Sequence, residues 1–331
     1  MSLYLHGLGH FHADSVITNQ FLTDLDIGTN EEWIMERVGI KARRTVLPLD
    51  YIRETRNANP AGAAEAAMYT HAETGSKAAA IAMERAGVTK DDIGMVIAGS
   101  SKPEWSSPAD ACMIAQAMGI EAPAFDMNSA CTSMWVALYM LSMMRPEAVP
   151  EYVLLVTPES LTTAVDYSDR SASVLWGDCT TAAVVSTKVP SRIEVLNNTL
   201  ASSPAGADKV VVPLFGHFSQ EGRTVQMFAI KKTVRLLRQT QTEFPGEGRS
   251  LNFIGHQANC RMLETVCSQC GIEDEFHHSN VADYGNTGAA GAPSVVSMNW
   301  DRWADGDDVA IIGVGSGLSW SSYVLRVGET P

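Results

Sequence analysis

Three residues in this sequence carry reactive or hydrogen-bonding side chains in segments where such side chains stand out. Cys131 lies in "DMNSACTS", where small residues give way to the apolar run "TSMWVALYMLSMM". His256 lies in "GHQANCR", directly after the apolar stretch "LNFI", and Asn286 lies in "DYGNTGAAGAPS". A thiolate can carry an acyl group as a thioester, an imidazole donates hydrogen bonds or acts as a base, and a carboxamide donates two hydrogen bonds.

The position of Cys131 predicts an activated thiol. At a strand-to-helix junction, free backbone N–H groups and the helix macrodipole favour the thiolate and lower the pKa. The alternative is a small buried residue, the commonest role of a free cysteine. His256 could likewise be a core histidine, and Asn286 a turn or N-cap residue. Position alone leaves each of these alternatives open.

The pattern around these residues predicts strands that alternate with helices. Gly87 ends a predicted helix that begins near residue 73, and another helix covers residues 259–271. The segment 307–327 reads as two strands around a glycine turn. The other predicted strands are residues 92–101, 151–160, 173–187 and 251–258. This alternation predicts an α/β fold.

Two segments resemble each other and suggest an internal duplication. "ERAGVTKDDIGMVIAGSS" and "EFPGEGRSLNFIGHQA" each run through a glycine and an acidic turn into an apolar strand. We therefore expect two halves, with the nucleophile in residues 1–187 and the histidine and asparagine in residues 188–331. Residues 188–225, rich in serine, proline and glycine, are expected to form the crossover between them, and residues 44–70 a loop plus an alanine-rich helix.

Composition limits the class of protein. The chain has 331 residues, is 45% hydrophobic, and carries a net charge of −14, which argues against general nucleic-acid binding. The six scattered cysteines are typical of reduced thiols, and the N-terminus shows no signal-peptide pattern. No stretch approaches the roughly 18 uninterrupted apolar residues of a membrane helix. These features predict a cytoplasmic protein without a membrane span.

Two cofactor sites are conceivable from the sequence. Cys260, Cys267 and Cys270, followed by His277 and His278, could bind zinc. Structural zinc prefers a knuckle turn at its CxxC, whereas this CxxC falls inside a helical pattern, so no metal site is expected. The loop "GVGSGL" is similar to a dinucleotide-binding loop, but no helix follows it.

The motifs taken together resemble one known family. "DMNSACTS", "GHQANCRM" and "YGNTGAAGAPS" are similar, in order and spacing, to the cysteine, histidine and asparagine motifs of the β-ketoacyl-acyl-carrier-protein synthase III family, within the thiolase superfamily. Three further segments resemble family motifs: "TNEEWIMERVGIKARR", "SDRSASVLWGD" and "GVGSGLSW". The resemblance spans nearly the whole chain. It implies a thiolase-like, five-layered α-β-α-β-α duplicated fold, usually in a homodimer.

The resemblance also implies a mechanism and the residues that perform it. Cys131 would take an acyl group from an acyl thioester, with the backbone N–H groups of Cys131 and Ser316 as the oxyanion hole. His256 and Asn286 would bind the carbonyl of a malonyl thioester and stabilise the enolate formed as CO2 departs. That carbanion would attack the acyl-Cys131 thioester, a decarboxylative Claisen condensation without metal or redox cofactor. Ser316 stands where the family usually has glycine.

The same resemblance implies where substrates and partners bind. Trp33 would stack on the adenine of coenzyme A, and Arg37 and Arg170 would line that nucleotide site, unless Arg170 pairs with Asp166 or Asp169. Arg261, at the tunnel mouth, would meet an acidic acyl carrier protein, a surface that Lys231 and Lys232 could extend. The segment "SSKPEWSSPADA" lies where the family has its dimer loop, but Glu104 and Trp105 are unusual there, and Glu104 is either a base near the thiol or simply exposed.

The expected function is therefore acyl transfer with carbon–carbon bond formation, in fatty acid or specialised lipid or polyketide biosynthesis. The main alternative is a relative that moves the acyl group to a hydroxyl or amine of a small molecule without condensation. Relatives of that kind often lack the asparagine, whereas Asn286 is present. A non-catalytic partner subunit is a third possibility, which the presence of Cys131 disfavours.

Overall fold

The computed structural model of the protein describes residues 2–246 and 248–329, without the side chains of residues 197 and 198. The strands are β1 (Tyr4–Phe11), β2 (Ser15–Thr18), β3 (Ala42–Thr45), β4 (Ile93–Ala98), β5 (Ala124–Asp126), β6 (Tyr152–Glu159), β7 (Cys179–Ser186), β8 (Ile193–Ser202), β9 (Val210–Val211), β10 (Ser219–Gln220), β11 (Ser250–Gly255), β12 (Asp307–Gly315) and β13 (Ser319–Val327). The helices are α1 (Asn19–Asp24), α2 (Glu31–Arg37), α3 (Leu49–Thr55), α4 (Pro60–Ala66), α5 (His71–Ala86), α6 (Asp110–Met118), α7 (Ser133–Met143), α8 (Arg170–Ser173), α9 (Gly222–Glu243), α10 (Cys260–Cys270), α11 (Val281–Tyr284) and α12 (Gly291–Met298).

The order of strand pairing repeats between the two halves of the chain. In the first half the order is β5-β4-β6-β7-β1, where β4 is parallel to β5 and β6 while β7 is antiparallel to both β6 and β1. In the second half the order is β11-β12-β13-β8 with the same directions, and a parallel bridge from Phe253 to His277 lies where β5 would pair. A short antiparallel pairing of β1 with β8 joins the halves.

Helices cover both faces of each half-sheet and produce five layers. Helices α5 and α6 lie on the outer side of the first half, and α9 and α10 on the outer side of the second. Between the halves lie α7, which contacts β6, β8 and β13, and α12, which contacts β1, β7 and β11. A central helix must be apolar or small on most faces, and "SMWVALYMLSM" and "GAPSVVSM" satisfy this condition. The five-layered α-β-α-β-α expectation is confirmed.

Most predicted elements are found, and the exceptions have simple causes. Residues 188–225 are not merely a crossover, because they contain β8, which pairs with β13 inside the sheet. Polar residues in "IEVLNNTLAS" obscure its strand pattern. Residues 44–70 hold two short helices, α3 and α4, rather than one. The proposed division after residue 187 falls between β7 and β8 and stays a prediction. Among the described residues no helix has the length and apolarity needed to cross a bilayer.

Candidate active site

Cys131 lies in a tight turn between β5 and α7. The 3₁₀ turn Ala130–Thr132 precedes the helix, and Ala130 has a φ of 46°, a left-handed conformation that is unfavourable for a residue with a Cβ. The Asn128 side chain accepts the Ala130 N–H at 2.7 Å, and the Thr132 hydroxyl bonds the Ser319 hydroxyl at 2.9 Å. These bonds hold the strained turn against the start of β13 and fix the direction of the thiol.

The expectation of a lowered pKa at Cys131 is wrong. Burial raises the pKa of the thiol to about 12, and the nearby charge of Glu159 raises it further. The Ser101 hydroxyl and the N–H groups of Cys131 and Ser316 lower it, but by less than burial raises it. Removal of the thiolate from water therefore outweighs the donors at the end of the helix, and the thiol needs a proton acceptor to react at neutral pH.

The glycine turn between β12 and β13 brings a second backbone donor to the thiol. A Cβ on Gly315 would lie 3.3 Å from the Cys131 nitrogen, so glycine permits the close approach. Gly317, at φ 122°, supplies the left-handed conformation of the turn, which leaves Ser316 unstrained. The Ser316 hydroxyl is turned away and donates to the Val210 carbonyl at 2.7 Å. The N–H groups of Cys131 and Ser316 both face Sγ, as two oxyanion-hole donors would.

His256 follows the last residue of β11, and its ring faces a cavity. Its backbone N–H donates to the Ile312 carbonyl of β12 at 2.9 Å, which fixes the residue against the sheet. Burial lowers the pKa of the imidazole to about 4, so the ring is neutral at pH 7. Within the part of the chain that the structure describes, no side-chain hydrogen bond engages the ring. The imidazole is thus free to hydrogen-bond a bound molecule.

Asn286 is fixed by its backbone, which leaves one side of its amide available. Its N–H donates to the Leu175 carbonyl at 2.8 Å, and its carbonyl accepts from the Gly177 N–H at 3.0 Å. Its Oδ1 accepts the Gly288 N–H at 3.1 Å, which assigns Nδ2 to the opposite side. The residue is 6% exposed. The amide of Asn286 can therefore donate into the cavity that it lines, and its catalytic role stays a prediction.

One cavity of about 400 Å³ brings the predicted catalytic residues together. Its wall includes Cys131, His256, Asn286 and Ser316, and it extends to Trp33 at the surface. Cys131 is accessible to this cavity although protein surrounds it. A second cavity of about 320 Å³ also reaches Cys131 and has mainly apolar walls, including Leu161, Trp176, Val210, Val212 and Phe218. The thiol thus lies at the junction of two spaces.

Two of the predicted nucleotide residues line the surface end of the first cavity, and Arg170 lies beside them. Trp33 and Arg37 line it, and the guanidinium groups of Arg37 and Arg170 lie 5.9 and 4.9 Å from the Trp33 ring centre. Among the described residues Arg170 forms no ion pair with Asp166 or Asp169, and it donates to the Gly28 carbonyl.

Arg261 lies outside the cavity wall, on the first turn of α10. It donates to the Met35 and Glu36 carbonyls at the end of α2, and its ion pair with Glu264 measures 2.8 Å. Its role at the tunnel mouth stays a prediction.

Two residues near the thiol were missed by the sequence reasoning. Ser101 Oγ lies 4.0 Å from Cys131 Sγ and donates to Glu159 Oε1 at 2.8 Å. Burial raises the pKa of Glu159 to about 7. Glu159 is the last residue of β6, and Ser101 follows β4 by three residues, so both lie at the carboxyl ends of parallel strands, where ligand sites of α/β sheets form. That position is the signal that could have identified them in "AGSS" and "TPES".

The structure does not support two other hypotheses from the sequence, a base at Glu104 and a zinc site at the cysteines of α10. Glu104 accepts the His71 N–H at the start of α5 at 2.7 Å, so the carboxylate beside the thiol is Glu159 instead. The thiols considered as zinc ligands have separate partners: Cys260 Sγ contacts the Gly39 carbonyl and Cys270 Sγ the Val234 carbonyl. The only close group of potential metal ligands within the described residues is a different one, His71, Glu104 and Asp110.

Gly288 is expected to be intolerant of a side chain because of Glu159. A Cβ on Gly288 would lie 2.6 Å from Glu159 Oε1, a carboxylate oxygen held by three donors, and φ is 57°. Gly87 has a similar φ of 66°, but a Cβ there would meet no atom within 4 Å. We expect Gly87→Ala to destabilise by about 1 kcal/mol and Gly288→Ala by roughly 1–3 kcal/mol more. Urea unfolding of both variants measures the difference, and equal losses would contradict the clash.

The comparisons with known proteins agree with this geometry. Residues 125–204 match the family model of 3-oxoacyl-[acyl-carrier-protein (ACP)] synthase III, and residues 252–327 match the model of its C-terminal region. The chain is 29% identical to a β-ketoacyl-[acyl-carrier-protein] synthase III of Oceanobacillus iheyensis, with 99% of this chain and 100% of that one covered. A Chlamydia caviae enzyme of the same name is 28% identical, with 97% of this chain and 96% of that one covered.

Solved structures give the same result. A 3-oxoacyl-[acyl-carrier-protein] synthase III from Aquifex aeolicus superimposes with a TM-score of 0.82 at 26% identity, over 98% of this chain and 99% of that one. The priming β-ketosynthase of the R1128 polyketide pathway shares the fold, with a TM-score of 0.81 at 24% identity over 99% and 97% of the chains. The fold is that of the thiolase-superfamily condensing enzymes.

Within that superfamily, the chain is a β-ketoacyl-acyl-carrier-protein synthase III-like protein, an enzyme of the acyltransferase type. Because the family resemblance runs from end to end, it supports the whole architecture rather than one motif.

Proposed function

We propose that this protein joins an acyl group carried on Cys131 to a carbanion from a malonyl or 3-ketoacyl thioester, in fatty acid or polyketide biosynthesis. The observation that carries the proposal is the single cavity lined by Cys131, His256 and Asn286. The side chains of this set match the two half-reactions of a condensation: a nucleophile for acyl transfer, and two hydrogen-bond donors for the enolate.

In the first half-reaction the sulfur of Cys131 attacks the carbonyl carbon of an acyl thioester. The negative charge then develops on the carbonyl oxygen, and the N–H groups of Cys131 and Ser316 face the region where that oxygen would lie. The tetrahedral intermediate collapses with loss of the donor thiolate. The apolar second cavity, which also reaches the thiol, supplies space for the acyl chain.

In the second half-reaction the malonyl thioester enters from the Trp33 end. The neutral ring of His256 and Nδ2 of Asn286 donate hydrogen bonds to its thioester carbonyl. Loss of CO2 leaves an enolate whose oxygen these donors stabilise, and its carbon attacks the acyl-Cys131 carbonyl. The C–C bond forms as the C–S bond breaks, so Cys131 is regenerated. The scheme requires no metal or redox cofactor.

The surface end of the first cavity fits coenzyme A as the carrier of the acyl group. The indole of Trp33 offers a stacking face, and the nearby guanidinium groups of Arg37 and Arg170 complement phosphate charge.

Trp33→Ala should raise the KM for coenzyme A thioesters about tenfold with kcat nearly unchanged, since base stacking contributes roughly 1–3 kcal/mol. Steady-state kinetics with pantetheine thioesters, which lack the adenine, provide the control. An equal rise in KM for both donors would contradict stacking.

An acyl carrier protein is the proposed macromolecular partner. Helix α9 carries Lys231, Arg235 and Arg238 along an exposed groove, a basic surface on a chain of net charge −14. Lys232, in contrast, lies 3.6 Å from the Trp320 ring centre. A local basic surface steers an acidic partner toward the cavity.

We also propose a homodimer in the cytoplasm. Large apolar side chains are exposed at Trp105, Leu214 and Phe215, and a second copy of the chain could cover them. All six cysteines are free, as expected in a reducing compartment. Light scattering of the purified protein tests the dimer, and a single-chain mass would contradict it.

The function is tested by loading and discharging the thiol. The protein is incubated with a panel of acyl-coenzyme A and acyl-carrier thioesters, and the intact chain is weighed. The adduct mass identifies the acyl donor. Malonyl thioester should then discharge the adduct with release of CO2 and formation of a 3-ketoacyl product. Discharge by an alcohol or amine without CO2 would instead show the acyl transferase without condensation, which the Asn286 amide and the comparisons do not favour.

A further inference from the structure

We propose that Ser101 and Glu159 form a proton relay that accepts the proton of the Cys131 thiol when the sulfur attacks. The relay rests on the proposed role of Cys131 as the nucleophile and adds to it the group that removes the proton. Neither residue belongs to the cysteine, histidine and asparagine set inferred from the sequence.

The geometry connects the thiol to a buried carboxylate through one hydroxyl. Cys131 Sγ lies 4.0 Å from Ser101 Oγ, within the range of a long hydrogen bond to sulfur, and Ser101 Oγ donates to Glu159 Oε1 at 2.8 Å. The Ser101 N–H lies 3.1 Å from both Glu159 oxygens, and the Ala289 N–H donates to Oε1 at 2.9 Å. Glu159 is 1% exposed. The Glu159 carboxylate is therefore held by the segment that follows β4 and by the turn Gly288–Ala290.

Within the described part of the structure, the hydrogen bonds of the thiol lead to this carboxylate and not to the imidazole. Among residues 2–246 and 248–329, no hydrogen bond joins His256 to Cys131, and burial keeps the His256 ring neutral, with a pKa of about 4. Such a ring is a weak base at neutral pH. Glu159, with a pKa raised to about 7, is well matched to accept a proton there, because a general base works best near the operating pH.

The proton transfer balances without another reactant. As the Cys131 sulfur bonds to the acyl carbon, the S–H proton moves to Ser101 Oγ, and the original Ser101 hydroxyl proton moves to the Glu159 carboxylate. The serine is again a neutral hydroxyl and the glutamate a neutral acid. When the donor thiolate leaves, the reverse transfer gives it this proton and restores the carboxylate.

Other titratable groups act on Glu159 from the elements around it. His71 on α5 interacts with its charge and lowers its pKa. Asp178 and Cys179, at the start of β7, share a small internal space with Glu159, and the Glu159 charge raises the pKa of Cys179. Comparison of the wild type with a single isosteric variant keeps these neighbours constant.

The test is the pH dependence of Cys131 alkylation by iodoacetamide, followed by peptide mass spectrometry in wild type, Glu159→Gln, Ser101→Ala and Ser101→Thr. In the wild type the rate should increase as pH rises through about 7, where the carboxylate forms. At pH 7.5 Glu159→Gln and Ser101→Ala should each slow alkylation by about 10²-fold and lose that inflection. Ser101→Thr, which keeps the hydroxyl, should stay near wild type, and the double variant should be no slower than either single variant.

A carboxylate that is only an electrostatic neighbour predicts the opposite sign. Its removal would lower the pKa of Cys131 and accelerate alkylation, so an unchanged or faster rate in Glu159→Gln overturns the relay. The exposed Cys112 in the same samples reports general reactivity, and circular dichroism reports folding. If Glu159→Gln does not fold, the Ser101 pair decides: alkylation as fast in Ser101→Ala as in Ser101→Thr overturns the relay. Since iodoacetamide is not a thioester, this result is separate from success or failure of acyl loading.

Discussion

Cys131→Ala should abolish acyl loading and reduce condensation by about 10⁴-fold or more. Removing a covalent nucleophile eliminates the intermediate itself, and only the rate due to binding and to the oxyanion donors survives. Intact-mass measurement after incubation with the acyl donor should show no added mass. Cys112→Ala is the matched control because it removes an exposed thiol outside both cavities.

The loading experiment also separates a nucleophile from a structural cysteine. Alanine at position 131 removes one partly accessible sulfur next to two cavities, so the fold should survive. An unaltered thermal transition with complete loss of the adduct supports the nucleophile. An adduct that persists in Cys131→Ala and disappears in another cysteine variant would place the acyl group elsewhere and end the proposed function.

The second large loss of activity is expected on replacing the two side chains that donate hydrogen bonds to the enolate. His256→Ala and Asn286→Asp should leave acyl loading of Cys131 within about twofold of wild type while slowing condensation by about 10²–10³-fold each, the usual loss for one such donor. Asn286→Asp keeps the side-chain shape but replaces the Nδ2 donor with an oxygen. Release of CO2 from a malonyl thioester should fall in parallel with product formation, because both depend on the same enolate.

A buried histidine outside the cavity serves as the control for this experiment. His278 bonds the Asn252 side chain at 2.8 Å and packs edge-on against Trp303, so His278→Ala should lower stability without changing the ratio of loading to condensation. If His256→Ala instead prevented loading, the imidazole would act on the thiol, and the assignment of the two half-reactions to different side chains would be wrong.

The pH dependence of condensation follows from the same neutral ring. The pKa of His256 is lowered to about 4, so the ring stays an uncharged donor throughout the neutral range and protonates only as the pH falls toward about 4. Because Glu159 has a pKa raised to about 7, it is a proton acceptor only above that value. Acyl loading should therefore lose rate as pH falls below about 7, whereas decarboxylation of a preloaded enzyme should not.

Much of the architecture was determined by local sequence pattern. Short-range hydrophobic periodicity predicts β4 and the two strands on either side of residues 313–320. The backbone freedom of glycine predicts the end of α5 at Gly87. The echo between β4 and β11 is a duplication in the structure as well, because these strands hold equivalent places in the two halves. Hydrophobic periodicity did not predict β8, because polar residues interrupt its alternation. This strand is placed by its pairing with β13 in the sheet.

For the candidate site, too, the sequence determines one part and the tertiary structure another. The types of residue at 131, 256 and 286 could be selected from sequence because each lies at an element boundary with unusual chemistry. Only the tertiary structure places them around one cavity, since they are distant along the chain. It also decides their protonation: burial raises the pKa of Cys131 and lowers that of His256, and desolvation depends on what surrounds a group in space. For the same reason Glu159, an ordinary strand-end carboxylate in the sequence, becomes the buried acid beside the thiol.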